Sequence, residues 1–506
     1  MRASEPLSIP KIAWIAAAIA FILHLIGNPH YGFFRDELYF IICGFHPAWG
    51  YVDQPPIVPL LAAGTQVFGH SLVLLRALPA LFAAGSVFVT CLLVAELGGS
   101  TFAMATAALL VFFAPVLMSF GMKVSTDMPG LVLWPLIALL LLRIVRGADP
   151  RNWLIVGALL GLACESKYSV IFFAVALLIG LLVVPQRSIL LSKWFVLGML
   201  IAVAIVLPNA LWQYHYGFPM WQLLEAGQHG KNVIASPALY LVQEILITNI
   251  FFAPLLIAGI VALIRNRDAR FLGIAYLALI AIMIVLHGKH YYPANIYPIV
   301  FAAGAVALAS WTTRIAWLRP VALAAISLAG LMFTPFVLPV LSEPNLAAYQ
   351  SSIANALHLG KGTLATEHGK TAQIGQDFAD MHGWRRLATV VERAYAILPP
   401  SEKSQAVIAA SNYGEASAIA FFSHDLPPVI SGHNNFWLWG THGATGNVVI
   451  DVNGDCGGGK IFRTSQLMTR FRAEWITPEE DGIPIMLCTG IKVPLNSIWP
   501  KLKNYN

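Results

Sequence analysis

Two acidic clusters stand between the first two apolar stretches of the chain: Arg35-Asp36-Glu37-Leu38-Tyr39 and Tyr51-Val52-Asp53-Gln54-Pro55-Pro56. Carboxylates beside lipid-embedded helix are costly, about 2.5–3.5 kcal/mol each at a bilayer centre, and usually signal function. Asp36 and Glu37 are neighbours, so on a helix they point about 100° apart. One can act as a general base while the other holds a partner or an interfacial helix. A solvated loop edge, or a salt bridge to Arg35, is the plain alternative, and the aromatic setting of Tyr31, Phe33, Phe34, Tyr39 and Phe40 weighs against it.

Asp53 adds a carboxylate held by two rigid prolines, although an acid before a proline also reads as a simple helix start. Asp127, in Ser125-Thr126-Asp127-Met128-Pro129, opens a later apolar stretch, where helix capping and catalysis are compatible roles. Lys167 and Lys289, the latter in His287-Gly288-Lys289-His290-Tyr291-Tyr292-Pro293, are cations at helix ends. Phosphates and anionic headgroups are their natural partners, and snorkelling beside interfacial tyrosines is the bland alternative. His215 and His229 share one loop, and either could join carboxylates around a divalent metal, although a lone loop histidine is usually not a ligand. The chain has no P-loop, no paired zinc CxxC motif and no Ser-His-Asp order, and Gly457-Gly458-Gly459 reads as a turn.

These residues must be positioned by membrane helices. Of 506 residues, 58% are hydrophobic and 11% charged, whereas soluble domains carry about 25% charged residues. The net charge of +6 is spread through short loops and not gathered on one face, which argues against a nucleic-acid partner. Apolar stretches near 11–28, 74–96, 101–118, 128–146, 152–164, 168–185, 194–213, 240–263, 271–287, 292–310 and 320–340 predict about eleven transmembrane helices. The first reads as uncleaved, because no small-x-small cleavage site follows it. Residues 153–185 are too long for one span and are interrupted at Glu165-Ser166-Lys167-Tyr168, which reads as a hairpin tip.

Arg143, Arg146, Arg151, Arg187, Lys193, Arg265, Arg267, Arg270, Arg314 and Arg319 fall in one set of loops. The positive-inside bias then places the N-terminus in the cytoplasm and Asp36, Glu37, Asp53, Asp127, Glu165 and Glu225 outside. The long first outer loop, 28–73, is expected to hold interfacial helices. Residues 343–506 are more polar and are expected to form a small extracytoplasmic α/β domain, with a helix over 384–396 and strands over 406–410 and 447–451. In that compartment Cys456 and Cys488 could pair.

Phe34-Arg35-Asp36-Glu37-Leu38-Tyr39-Phe40 through Gly50-Tyr51-Val52-Asp53-Gln54-Pro55-Pro56 resembles the integral-membrane glycosyltransferases of the GT-C fold, the family 39-like group of protein O-mannosyltransferases and lipid A aminoarabinose transferases. Lys289-His290-Tyr291-Tyr292, Asn412-Tyr413-Gly414-Glu415-Ala416 and Ser431-Gly432-His433-Asn434-Asn435-Phe436-Trp437-Leu438-Trp439-Gly440 carry the resemblance over nearly the whole chain. It implies a transmembrane glycosyltransferase domain over 1–342 in the plasma (inner) membrane, moving a sugar from a polyprenyl-phosphate donor to a lipid, glycan or protein acceptor on the extracytoplasmic face. It further implies catalytic roles for Asp36, Glu37 and Asp127, with Asp36 as the base. Lys167, Lys289, His290 and Tyr291 would bind the donor phosphate, and Asp53 aligns with a metal-binding acid. Gln54 stands where the aminoarabinose branch has a lysine. A transporter or lipid flippase would instead carry ionisable residues or broken helices at mid-membrane, and a non-catalytic glycan- or lipid-binding protein would not need intact Asp36, Asp53 and Asp127.

Overall fold

The computed structural model describes residues 9–230, 236–356, 364–366 and 369–505, with side chains at 228–230 outside the description. A helix occupies each of the eleven apolar stretches, but they are not equivalent. Leu72–Glu96, Lys193–His215, Ala294–Arg314 and Leu318–Phe336 are long and apolar enough to cross a membrane. Five others, Lys11–Gly27, Gly130–Val145, Asn152–Cys164, Val170–Leu182 and Arg270–Val285, are shorter. A 13-residue helix rises about 20 Å, less than the hydrocarbon core of about 30 Å.

The remaining two stretches are bent pairs. Thr101–Phe113 and Pro115–Met122 meet at 67°, and Pro237–Ile247 and Ile250–Arg265 meet at 94°. Each break has a local cause. Ala114 precedes a proline and is extended (φ −70°, ψ 117°). Asn249 adopts a left-handed φ of 81° and uses its side chain twice, accepting from Phe251 N–H and donating to the Ala329 carbonyl at 3.1 Å. By length and composition the described residues therefore hold four to six crossing helices, where the hydropathy pattern suggested about eleven.

The 153–185 region is two helices joined at 165–169, so the hairpin reading holds. Asn152–Cys164 packs on Lys193–His215 with backbones nearly touching at Gly157 and Gly198. A Cβ at Gly157 would sit 1.9 Å from the Gly198 carbonyl oxygen.

The C-terminal region carries a five-stranded sheet: β1 (Ala406–Ala410), β2 (Val429–Ile430), β3 (Val448–Val452), β4 (Phe462–Arg470) and β5 (Pro484–Ile491), in the order β2-β1-β3-β5-β4. β1 pairs parallel with β2 and β3, and β5 runs antiparallel between β3 and β4. Cys456 and Cys488 form a disulfide tying β5 to the turn after β3. Helices Trp384–Ala396 and Tyr413–Phe422 pack together beside this sheet.

The loop between Gly27 and Leu72 folds into this C-terminal region. Helix Arg35–Phe45 buries Leu38, Tyr39, Phe40, Ile41, Ile42 and Cys43 in one apolar cluster with Trp384, Leu387, Ile419, Phe421, Phe436 and Ile450. The interfacial helix of the sequence reading is therefore enclosed, and the residues it presents are held by two parts of the chain far apart in sequence.

Candidate active site

A cleft of about 490 Å³ opens where the first loop, the segment 123–127, the tips at Lys167 and 289–291, and the short helix Gln376–Ala379 converge. Its lining brings together Asp36, Asp127, Lys167, Lys289, His290 and Tyr291, all singled out from the sequence. Lys123, Asp377 and Asp380 join them, and none of these three was anticipated as a site residue.

Asp36 lies in the first turn of its helix, where the N-terminal dipole favours negative charge. Its Oδ1 accepts the Tyr413 hydroxyl at 2.6 Å. Arg35 contributes a long contact to the same oxygen (3.8 Å) and another to Asp380 (3.9 Å). Burial pushes the Asp380 carboxyl up to about 6 despite that guanidinium.

Asp127 does not cap its helix. The helix Gly130–Val145 has no side-chain cap, and Asp127 Oδ2 instead takes Lys167 Nζ at 2.6 Å. Its backbone carbonyl accepts Asn295 Nδ2 at 3.1 Å. Lys167 also lies over the rings of Tyr292 (4.7 Å) and Tyr291 (5.3 Å), and Lys123 pairs with Asp377 at 2.9 Å. Lys289 has no carboxylate partner among the described residues and lies 5.9 Å from the Tyr291 ring centroid. Burial, reinforced by Lys289, pushes the His290 imidazole down from its ordinary range. The cleft thus sets one carboxylate on a rigid helix start opposite cations that can meet an anionic oxygen.

Two residues chosen from the sequence lie elsewhere. Glu37 does not face the cleft: it is fully buried and paired with Arg76 at 3.0 Å. Its oxygens also accept the N–H groups of Phe34 (2.8 Å) and Val124 (3.0 Å). A carboxylate with every position filled by protein donors cannot take a substrate proton, so the expected catalytic role of Glu37 gives way to a structural one. Arg76 was the missed partner, and an arginine at the edge of an apolar span was the available signal.

Asp53 lies outside the lining of the cleft. Its Oδ1 accepts the Tyr39 hydroxyl at 3.1 Å and its Oδ2 accepts Asn434 Nδ2 at 3.4 Å. Both oxygens are turned to hydrogen-bond donors, and Asp53 belongs to no cluster of three metal-ligating groups among the described residues. The side chain of His229 lies outside the described residues. This donor set does not fit a metal at Asp53, and no catalytic step is routed through one. The one such cluster among the described residues, Asp451 with Cys456 and Cys488, has both sulfurs in the disulfide.

Burial pushes the Asp53 carboxyl from 3.8 up to about 7, against the lowering effect of the Tyr39 hydrogen bond. A folded-state value above the unfolded one means that the folded protein holds the extra proton, so this group costs stability as pH rises from about 4 to about 7. Melting curves at pH 5 and pH 8 should therefore show a smaller loss over that interval for Asp53→Asn than for wild type. An equal loss in the two proteins would remove Asp53 from the balance.

The tail motif locks onto the same place. Asn435 Oδ1 accepts Val52 N–H at 2.9 Å, its own N–H donates to the Tyr39 hydroxyl at 3.4 Å, and Trp439 stacks on His46 at 4.4 Å. Trp437 and Trp499 exchange hydrogen bonds from their indole N–H groups to each other's carbonyls, which is a structural use of Trp437.

Two solved structures of ArnT from Cupriavidus metallidurans superpose over 94% of this chain and 97% of theirs, at 13% identity. The apo form gives a TM-score of 0.62 and the form bound to undecaprenyl phosphate 0.58. The chain has the GT-C fold. Residues 53–212 match the model of the dolichyl-phosphate-mannose-protein mannosyltransferase family. No curated protein matches it in sequence. The family match spans Asp53, Asp127 and Lys167, whereas Asp36, Lys289 and the whole C-terminal sheet lie outside it.

Proposed function

We propose that the protein is an inverting glycosyltransferase that moves a sugar from a polyprenyl-phosphate donor to an acceptor at the extracytoplasmic face of the plasma (inner) membrane. The observation that carries this reading is the single cleft in which Asp36 shares the lining with Lys167 and Lys289. In one in-line displacement, the Asp36 carboxylate takes the proton from an acceptor hydroxyl or amine. The acceptor heteroatom attacks the anomeric carbon, and the bond from that carbon to the phosphate oxygen breaks. Polyprenyl phosphate leaves with the electron pair, its charge met by Lys289 and by Lys167, which must then divide itself between phosphate and Asp127. His290 and Tyr291 shape the phosphate end, and Asp127 positions Lys167.

A second, apolar cleft of about 430 Å³ supports a lipid-linked donor. It is lined by Trp153, Leu160, Cys164, Ile171, Phe195 and Met199, and Cys164 lies three residues from Lys167. An isoprenoid chain would find there an apolar wall beside a cation at its end. The domains follow the same reading: 1–342 holds the donor and the chemistry, and 343–506 closes the cleft from outside.

The test uses purified protein in proteoliposomes, radiolabelled polyprenyl-phosphate sugars and a host membrane extract. Label should move to a lipid, glycan or protein from at least one donor. A folded protein that transfers from none of them would contradict the reading and return transport or binding to consideration.

A further inference from the structure

We propose that Tyr413, on the C-terminal domain, is a positioning residue for Asp36, so that this domain completes the catalytic centre; the inference rests on the reading of Asp36 as the base. The two residues are 377 positions apart, yet the Tyr413 hydroxyl donates to Asp36 Oδ1 at 2.6 Å, the short distance of a charge-assisted bond. Asp36 lines the cleft and Tyr413 does not, so the phenol reaches the carboxylate from behind. Oδ2 accepts no hydrogen bond from protein among the described residues. A carboxylate with one oxygen tethered and the other open has its open oxygen aimed, which is what transfer of an acceptor proton requires.

The phenol is itself held on several sides. Its ring lies 4.7 Å from that of Tyr39 and 5.0 Å edge-on from His433, and the Arg35 guanidinium stands 5.5 Å from its centroid. Tyr413 is the first residue of helix Tyr413–Phe422, whose start is fixed by a capping box. Asn412 Oδ1 accepts Glu415 N–H at 2.9 Å, and Glu415 Oε2 accepts Asn412 N–H at 3.2 Å. That box is anchored to the sheet region, because Asn453 Nδ2 donates to Glu415 Oε1 at 2.8 Å and Asn412 Nδ2 donates to Glu480 Oε1 at 2.9 Å.

Gly414 lets the chain come this close. A Cβ there would meet Arg35 Cγ at 2.5 Å, so any larger residue would push the helix start off the residue beside Asp36. A tyrosine that merely filled the interface would need its ring. The hydroxyl on Asp36, the capped helix start behind it and the glycine beside it together form a device for placing one oxygen.

Tyr413→Phe keeps the ring and removes the hydroxyl, and melting should show the variant folded. Its kcat should fall about tenfold, with KM for donor and acceptor within about twofold of wild type. A second readout is independent of turnover. Asp36 in folded protein should react several-fold faster with a water-soluble carbodiimide at fixed pH, read by peptide mass spectrometry, because its anion has lost a hydrogen-bond donor. Unchanged labelling of Asp36 would overturn the inference, whether or not the wild type transfers sugar. Faster labelling with unchanged kcat in an active enzyme would also overturn it. Failure of the wild type to transfer from any donor would count against the glycosyltransferase reading and leave the labelling result to decide the Tyr413 contact.

Discussion

Asp36→Asn should lower the rate of sugar transfer about 10²–10⁴-fold while donor binding persists, the range expected when a positioned general base is removed. The substitution is close to isosteric, and the amide oxygen can still accept the Tyr413 hydroxyl, so the helix start and the cleft should survive. What is lost is the ability to take a proton. The expected signature is therefore a fall in kcat with little change in donor KM, read from initial rates in proteoliposomes across a range of donor concentrations. A matching rise in KM with kcat retained would assign Asp36 to binding and not to proton transfer.

Arg76→Met should destabilise the folded protein by about 3–5 kcal/mol, because removing one partner leaves a buried, unpaired carboxylate. The Arg76 guanidinium is 1% exposed and every donor is spent. Nη1 bonds the Asn28 carbonyl at 2.5 Å and the His30 carbonyl at 3.1 Å. Nη2 bonds the Gly32 carbonyl at 2.6 Å and Glu37 at 3.0 Å, and Nε bonds both Glu37 oxygens at 3.2 and 3.3 Å. Through Glu37 the same pair reaches the N–H groups of Phe34 and Val124, two residues that line the cleft. Thermal unfolding in detergent should show a large drop for Arg76→Met and a smaller one for Arg76→Met combined with Glu37→Gln, since the double variant buries no lone charge. A double variant as unstable as the two single losses added together would mean that the pair is not coupled.

The two results separate what residue types disclose from what they conceal. Asp36, Asp127, Lys167 and Lys289, which share the lining of one cleft, stand out in the sequence because ionisable side chains at the ends of apolar stretches are expensive. The hairpin tip at Lys167 and the C-terminal strands followed from periodicity and composition. The roles of Asp36 and Glu37 were not separable at that level, because adjacent acids differ only in direction, and the partner that buries Glu37 is 39 residues away. Tyr413 was hidden for the same reason on a larger scale: its partner is 377 residues upstream, and no local pattern records a contact made by packing two distant parts of the chain. Hydropathy alone did not show that five of the eleven apolar stretches form helices of 17 residues or fewer, nor that two are bent, at Ala114-Pro115 and at Asn249, so the count of eleven spans is not confirmed. Asp53 was read as a ligand from the resemblance of its motif, while the donors Tyr39 and Asn434 that occupy it come from two separate motifs.

The most direct measurement is a single-turnover reaction in proteoliposomes with a radiolabelled polyprenyl-phosphate sugar, following polyprenyl phosphate released and sugar transferred in the same samples. Wild type should release one polyprenyl phosphate for each sugar transferred, with the anomeric configuration inverted, and Asp36→Asn should do neither at a comparable rate. Equal turnover by Asp36→Asn, or transfer with retained configuration, would contradict a single displacement driven by that carboxylate.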